Sequence, residues 1–153
     1  MDLAELNSRV ANLLRLGTIL AVDLPRARCK VQSGRLETGW LRWATARAGT
    51  TRTWDPPTVG EQCLVLSPSG ETSNGIVLYG LNSDLIPPPS QSADTHVTDW
   101  PDGARCEYDH ATHTWRLALP EDGRIVITVG RTTLELTDAG TTLTTPAFEG
   151  NQS

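Results

Sequence analysis

From residue 104 to 149 the chain alternates polar and apolar residues in five short runs, A-R-C-E-Y-D, T-W-R-L-A-L, R-I-V-I-T-V, T-T-L-E-L-T and T-T-L-T-T. A period of two over four to six residues marks a β-strand, and the breaks at Pro120–Gly123, Gly130, Asp138–Gly140 and Gly150 mark turns. The inward sets are Trp115, Leu117 and Leu119, then Ile125, Ile127 and Val129, then Leu134 and Leu136, then Leu143; the outward sets are Thr, Arg and Glu. So few apolar residues per strand, with no helix to cover them, cannot make a core within one chain. Such a segment needs copies of itself. An intertwined triple-stranded β-helix in a homotrimer satisfies this, because the apolar rows meet on the axis and no long strand edge stays open. A single-chain meander packed on the rest of the protein is the simpler alternative.

Four segments follow from composition shifts: an N-terminal helix (1–16), a barrel (17–83), a linker (84–103) and the shaft (104–153). In the first, Leu3, Leu6, Val10 and Leu13 recur at 3-4-3 spacing, a narrow apolar stripe suited to a short helix–helix seam. So short a helix needs support from a barrel, a second copy, or both. Gly17 reads as its C-cap. The linker holds Pro87, Pro88 and Pro89 in a row and then small polar residues, an extended, semi-rigid composition.

Between Gly17 and the linker, Thr18–Asp23, Ala27–Gln32, Trp40–Ala44, Glu61–Leu66 and Gly75–Tyr79 read as five strands. Five short antiparallel strands point to an OB-fold barrel, although an SH3-like barrel leaves a similar trace. The long connection from Thr45 to Gly60 sits where such barrels carry a functional loop. Trp40, Trp43 and Trp54 interleave there with Arg42, Arg47 and Arg52, a mixture that also suits stacking and phosphate contacts in a single-stranded nucleic-acid-binding module. Against that reading stands the acidity of the chain, with a formal net charge of −5. Residues 26–52 hold seven basic side chains and one acid, whereas 53–104 hold seven acids and no Lys or Arg, blocks of opposite sign that can meet across a subunit interface.

No apolar run reaches the roughly 20 residues of a membrane-spanning helix. Charges at Asp2, Glu5 and Arg9 argue against a secretory signal, so synthesis in the cytoplasm is expected. Cys29, Cys63 and Cys106 stand alone in strand contexts and read as reduced, mostly buried thiols. His110 and His113 lie three apart on a turn and do not share a face as metal ligands do. Asp99 and Asp102 flank Trp100 like a glycosidase pair, but they sit in turn sequence and read as capping residues. No catalytic constellation is present, and the expectation is a protein that is not an enzyme.

The stretch Trp54–Asn82 contains P-P-T-V-G-E-Q-C-L-V-L and then G-I-V-L-Y-G-L-N, a buried strand, a tight turn and a second buried strand. Asp102-Gly103 and Tyr108-Asp109 follow in the spacing D-G-x-x-x-x-Y-D. Together these motifs resemble the phage baseplate assembly protein V family, the central spike of P2-like contractile tails, related to R-type pyocin and type VI secretion spikes. The resemblance implies a mainly β homotrimer with a short N-terminal helix, an OB barrel and the β-helix shaft. It implies a place in the tail baseplate of a virion or phage-tail-like particle, below the tail tube, and piercing of the target outer membrane on sheath contraction. Its partners would be its own copies, hub proteins and the tail tube, with no nucleic acid; Arg47, Arg52 and Trp54 are the hub-docking candidates. Relatives often end in an apex where His-x-His motifs hold iron. No histidine follows His113, so the donor set is not here and no cofactor is expected; either a separate conical tip protein caps the shaft, or the sequence lacks its natural end, or the needle is blunt.

Overall fold

A computed structural model describes residues 2–150, which separate into two compact units, one up to Pro87 and one from Pro88. The first begins with helix α1 (Leu3–Asn12), whose N-terminus is capped by the Asp2 carboxylate accepting the Glu5 N–H at 2.7 Å. It continues through β1 (Leu14–Asp23), β2 (Arg28–Ser33), a two-residue β3 (Leu36–Glu37), β4 (Leu41–Trp43), β5 (Gln62–Leu66) and β6 (Ile76–Leu81).

β1 pairs antiparallel with β2 through its second half and with β5 through its first, β5 pairs with β6, and β4 pairs with β2. The circuit closes where β4 runs parallel to β6, Arg42 opposite Ile76 and Trp43 opposite Val77. Five strands in this order, with one parallel junction, make the OB barrel. Inside it, Ile19, Cys29, Val31, Leu41, Cys63, Val65 and Val77 are all almost wholly buried, with Val22, Trp43 and Tyr79 packed against them. Two buried hydroxyls are paired: that of Ser33 donates to the Leu16 carbonyl at 2.7 Å, and that of Thr38 accepts the Val31 N–H at 2.9 Å, whereas the buried Ser67 hydroxyl has no hydrogen-bond partner among the described residues.

Two expectations about this unit need correction. The helix stops at Asn12 instead of residue 16, with Leu13 as its αR C-cap. Gly17 is no cap at all. It lies inside β1, where a Cβ would stand 2.4 Å from Val31 Cγ1 and 2.7 Å from the Gln32 carbonyl oxygen, so the glycine allows β2 to cross at close range. The apolar stripe of the helix ran on into Leu14 and Leu16 in sequence, which disguised the switch to strand periodicity. A second close approach fixes the helix: Gly70, at φ +73°, has no room for a Cβ because the Arg9 backbone is 2.3 Å from that position. The Ser67 N–H also donates to the Leu13 carbonyl at 2.9 Å.

The second unit contains two antiparallel meanders: β7 (Thr95–Asp99), β8 (Arg105–Asp109) and β9 (Thr114–Ala118), then β10 (Arg124–Val129), β11 (Thr132–Thr137) and β12 (Gly140–Thr144). The last five coincide with the five alternating runs of the sequence. β7 does not: it falls inside the segment 84–103 that reads as linker, because its residues, T-H-V-T-D, hold one aliphatic side chain and take their order from pairing with β8.

Burial raises the Cys29 and Cys63 thiols to a pKa of about 11, so both stay protonated near neutral pH, whereas Cys106 is only half-buried. A thiol reagent at pH 8 is expected to titrate Cys106 first and to reach the other two only after denaturant is added; immediate reaction of all three would contradict the barrel core. Gly17→Ala is expected to cost about 1–3 kcal/mol or more by overpacking against β2, read as a lower urea midpoint at unchanged slope.

Candidate assembly surfaces

Strand register decides which side chains share a face in the second unit. Ile125 stands opposite Leu136, and Ile127 opposite Leu134, which in turn stands opposite Leu143. Val129 lies opposite Thr132, whose hydroxyl bonds that of Thr145 at 3.0 Å. All the apolar residues expected to face the axis from β10–β12 therefore lie on one face. The other face carries Arg124 with Glu135 at 3.4 Å and the Thr128–Thr133 hydroxyl pair at 3.2 Å.

In the first meander, Trp115 stands opposite Tyr108, ring centroids 6.2 Å apart, and Leu117 opposite Cys106. The reverse face holds Arg105 between Asp99, at 3.0 Å, and Glu107, at 2.8 Å. Leu117 and Leu119 line one shallow groove together with Ile125 and Leu136, joined across the Pro120–Gly123 turn, so the apolar faces of the two meanders are continuous. Gly123 is required at that turn, since its Cβ position lies 2.6 Å from Leu119 Cβ.

Within the unit, Cys106, Ile125 and Leu134 are half-buried and the rest of this apolar face is exposed. Among the described residues of the unit, Ala104 is the one buried apolar residue, while Trp115 is 72% and Val129 77% exposed. Two exposed faces leave a sheet without a core, and an apolar face of this extent is a contact surface in want of a partner.

The D-G-x-x-x-x-Y-D residues build the turns that set this register. Asp102 accepts the Ala104 N–H at 3.0 Å, Gly103 takes φ +90°, and the Trp100 N–H closes the hairpin onto the Ala104 carbonyl at 2.9 Å. Asp109 accepts the Ala111 and Thr112 N–H groups at 2.9 and 3.1 Å. Asp99 and Asp102 are thus occupied by Arg105 and by the turn. His110 faces Asp94 at 3.2 Å, and His113 adopts φ 54° in the same turn; the pair is not brought to a shared site.

In the first unit the helix stripe Leu3, Leu6, Val10 and Leu13 is exposed along its length. The long connection between β4 and β5 folds into a small hairpin, with Ala48 bridging Arg52 and the Thr53 N–H donating to the Arg47 carbonyl at 3.0 Å. Arg47 and Arg52 project from it without an ion pair among the described residues. Trp54 packs on Trp43, centroids 5.8 Å apart, and the Tyr79 hydroxyl donates to the Asp55 carbonyl, which ties the loop to the barrel. Trp40 is engaged by Lys30 and Arg26, at 5.3 and 5.6 Å from its ring centroid. Of the tryptophans that suggested base stacking, Trp43 packs against the barrel core, while Trp40 and Trp54 have neighbours in the chain but stay exposed.

Sequence reasoning missed a surface here. Leu16, Leu64 and Leu78 form one cross-strand row on the outside of the barrel, and Leu14, Leu66 and Ile76 form the next. The signal was the near-continuous apolar character of L-V-L and I-V-L, which marks strands covered on both faces.

An OB barrel with this hairpin, followed by meanders that lack a core, defines an assembly protein. Residues 15–81 match the family described as type VI secretion system/phage-baseplate injector OB domain. The spike protein of Escherichia phage P2 is 45% identical over 111 residues, 72% of this chain and 53% of that protein, so the chain spans about half the length of this relative. The chain belongs to the baseplate spike family that its motifs resemble.

The Thr112 N–H, helped by the Ala111 N–H and by His110, holds the Asp109 carboxyl below its ordinary range. A depressed carboxyl stabilises the fold above its unfolded pKa and loses that contribution as pH falls through the lower folded value. The melting temperature followed by tryptophan fluorescence should fall as pH drops below about 3.8, the ordinary value, and Asp109→Asn should flatten that acid dependence.

Proposed function

We propose that this chain is the homotrimeric central spike of a contractile tail baseplate, a structural rather than catalytic component. Three copies bring their Trp115–Leu119, Ile125–Val129, Leu134, Leu136 and Leu143 faces together on one axis as a triple-stranded β-helix. The observation that carries this reading is the single continuous apolar face of a unit with no core of its own, downstream of an injector OB domain. Burying each such Leu or Ile is worth about 1.5–3 kcal/mol, a gain the isolated chain forgoes.

In this role the barrels sit below the tail tube and the shaft points at the target outer membrane, which it pierces on sheath contraction. Arg47, Arg52 and Trp54, held out on a loop that is itself anchored, are suited to docking hub subunits. Hydrogen bonds across interwoven strands share an axial load among many bonds, and no reaction chemistry is needed. The protein would assemble in the host cytoplasm and reside in the baseplate of a phage or phage-tail-like particle. No iron is proposed, because no His-x-His pair lies in the shaft segment.

Light scattering is expected to give a mass near three times 16.6 kDa. Ile127→Asp should abolish that trimer, since three buried carboxylates would repel one another on the axis. A monomeric wild-type protein, or a variant that stays trimeric, would overturn the shaft assignment.

A further inference from the structure

The outer leucine face of the barrel is exposed at Leu14, Leu16 and Leu78 and half-buried at Leu64, Leu66 and Ile76, the apolar stripe of helix α1 is exposed, and both lie on the same unit. Leu14 and Leu16 are 61% and 71% exposed, and Leu3 at the far end of the stripe is 72% exposed. Strands apolar on both sides are strands whose outer face is covered in the working state. The chain's own helix is not free to do this. It leads into β1 through Leu13 alone, its Arg9 backbone is locked against Gly70, and the Leu13 carbonyl is held by Ser67.

Size and charge point to the missing cover. The stripe runs ten helical steps from Leu3 to Leu13, about 15 Å of helix, and three strands about 4.8 Å apart present a face of similar width. The row Leu14–Leu66–Ile76 continues sideways into Arg42 and then Arg28, which stand next to one another in register, and neither makes an ion pair among the described residues. The helix carries its carboxylates at its N-terminal end, Asp2 as the N-cap with one oxygen on the Glu5 N–H, and Glu5 in an exposed pair with Arg9 at 3.0 Å. A helix laid across the leucines with that end toward Arg42 matches apolar to apolar and acid to base.

We propose that α1 of each copy docks across the Leu14–Leu16–Leu64–Leu66–Ile76–Leu78 face of the next copy, so that the barrels close into a three-membered ring of their own. The contact is head-to-tail, helix of one copy on sheet of its neighbour, and such contacts form closed rings when the rotation permits. This rests on the trimeric reading above and adds to it a second, shaft-independent interface.

The test uses the full chain carrying Leu6→Cys in a Cys106→Ser background, the two remaining thiols being buried in the barrel. The new thiol is labelled with a benzophenone maleimide, the mass is measured by light scattering, and the sample is then irradiated and mapped by mass spectrometry. A trimer with crosslinks from position 6 to Leu14, Leu16, Leu64 or Leu78 of another copy is the expected result, and adding Leu16→Lys should cut that yield at least tenfold while the mass remains trimeric. A trimer with no crosslink, with crosslinks only within one chain, or with a yield indifferent to Leu16→Lys overturns the ring and leaves the spike standing. A monomer overturns both.

Discussion

The double service of β1 is the constraint on which the barrel depends. Its first half must pair with β5 and its second with β2, so the strand has to bend, and it does so beside a register shift between Ile19 and Ala21. At the bend β2 comes so near that only a glycine fits, and Gly17 supplies it. Without that approach the circuit of strands would stay open, the parallel β4–β6 junction would have nothing to close, and Cys29, Cys63 and Val77 would lose their enclosure. The helix depends on the same region, because it is seated on the 67–70 turn that immediately follows β5.

The two units put apolar residues to opposite uses. The barrel keeps a small apolar set wholly inside and pairs the Ser33 and Thr38 hydroxyls that enter with it, so it has a core of its own. The C-terminal unit encloses almost nothing. Its turns are well defined, with Asp102, Gly103 and Asp109 fixing the hairpins, yet the edges of its two three-stranded sheets are open and most of its leucines and isoleucines remain at the surface. Local order without a core describes half of an interface, and it gives the spike reading a physical basis beside the family relationship.

Much of this was legible because the period of two is so regular in the last five strands: Ile125, Ile127, Leu134, Leu136 and Leu143 were assigned to one face from spacing alone, and the register places them there. The OB topology was half legible. Strand number and the closing hairpin showed in the Gly and Pro punctuation, but the choice between OB and SH3-like closure needed the parallel pairing of Trp43 with Val77. β7 left no trace, since Thr95–Asp99 is polar and gains its conformation from a partner strand. The leucine face was hidden for a different reason: with Leu14 and Leu16 counted as helix, their alternation around Arg15 carried no meaning.

The sequence by itself determined which segments are strands, where the turns fall and that the C-terminal part cannot bury its own apolar residues, because periodicity and turn chemistry act over a few residues. It also determined the family, through motifs that specify a hairpin and two capped turns. Tertiary structure alone decided where α1 ends, why Gly17 and Gly70 are glycines, and that six apolar side chains from three strands form one outer face. Those outcomes depend on distances between residues far apart in the chain, and no local pattern encodes how closely two strands will pass.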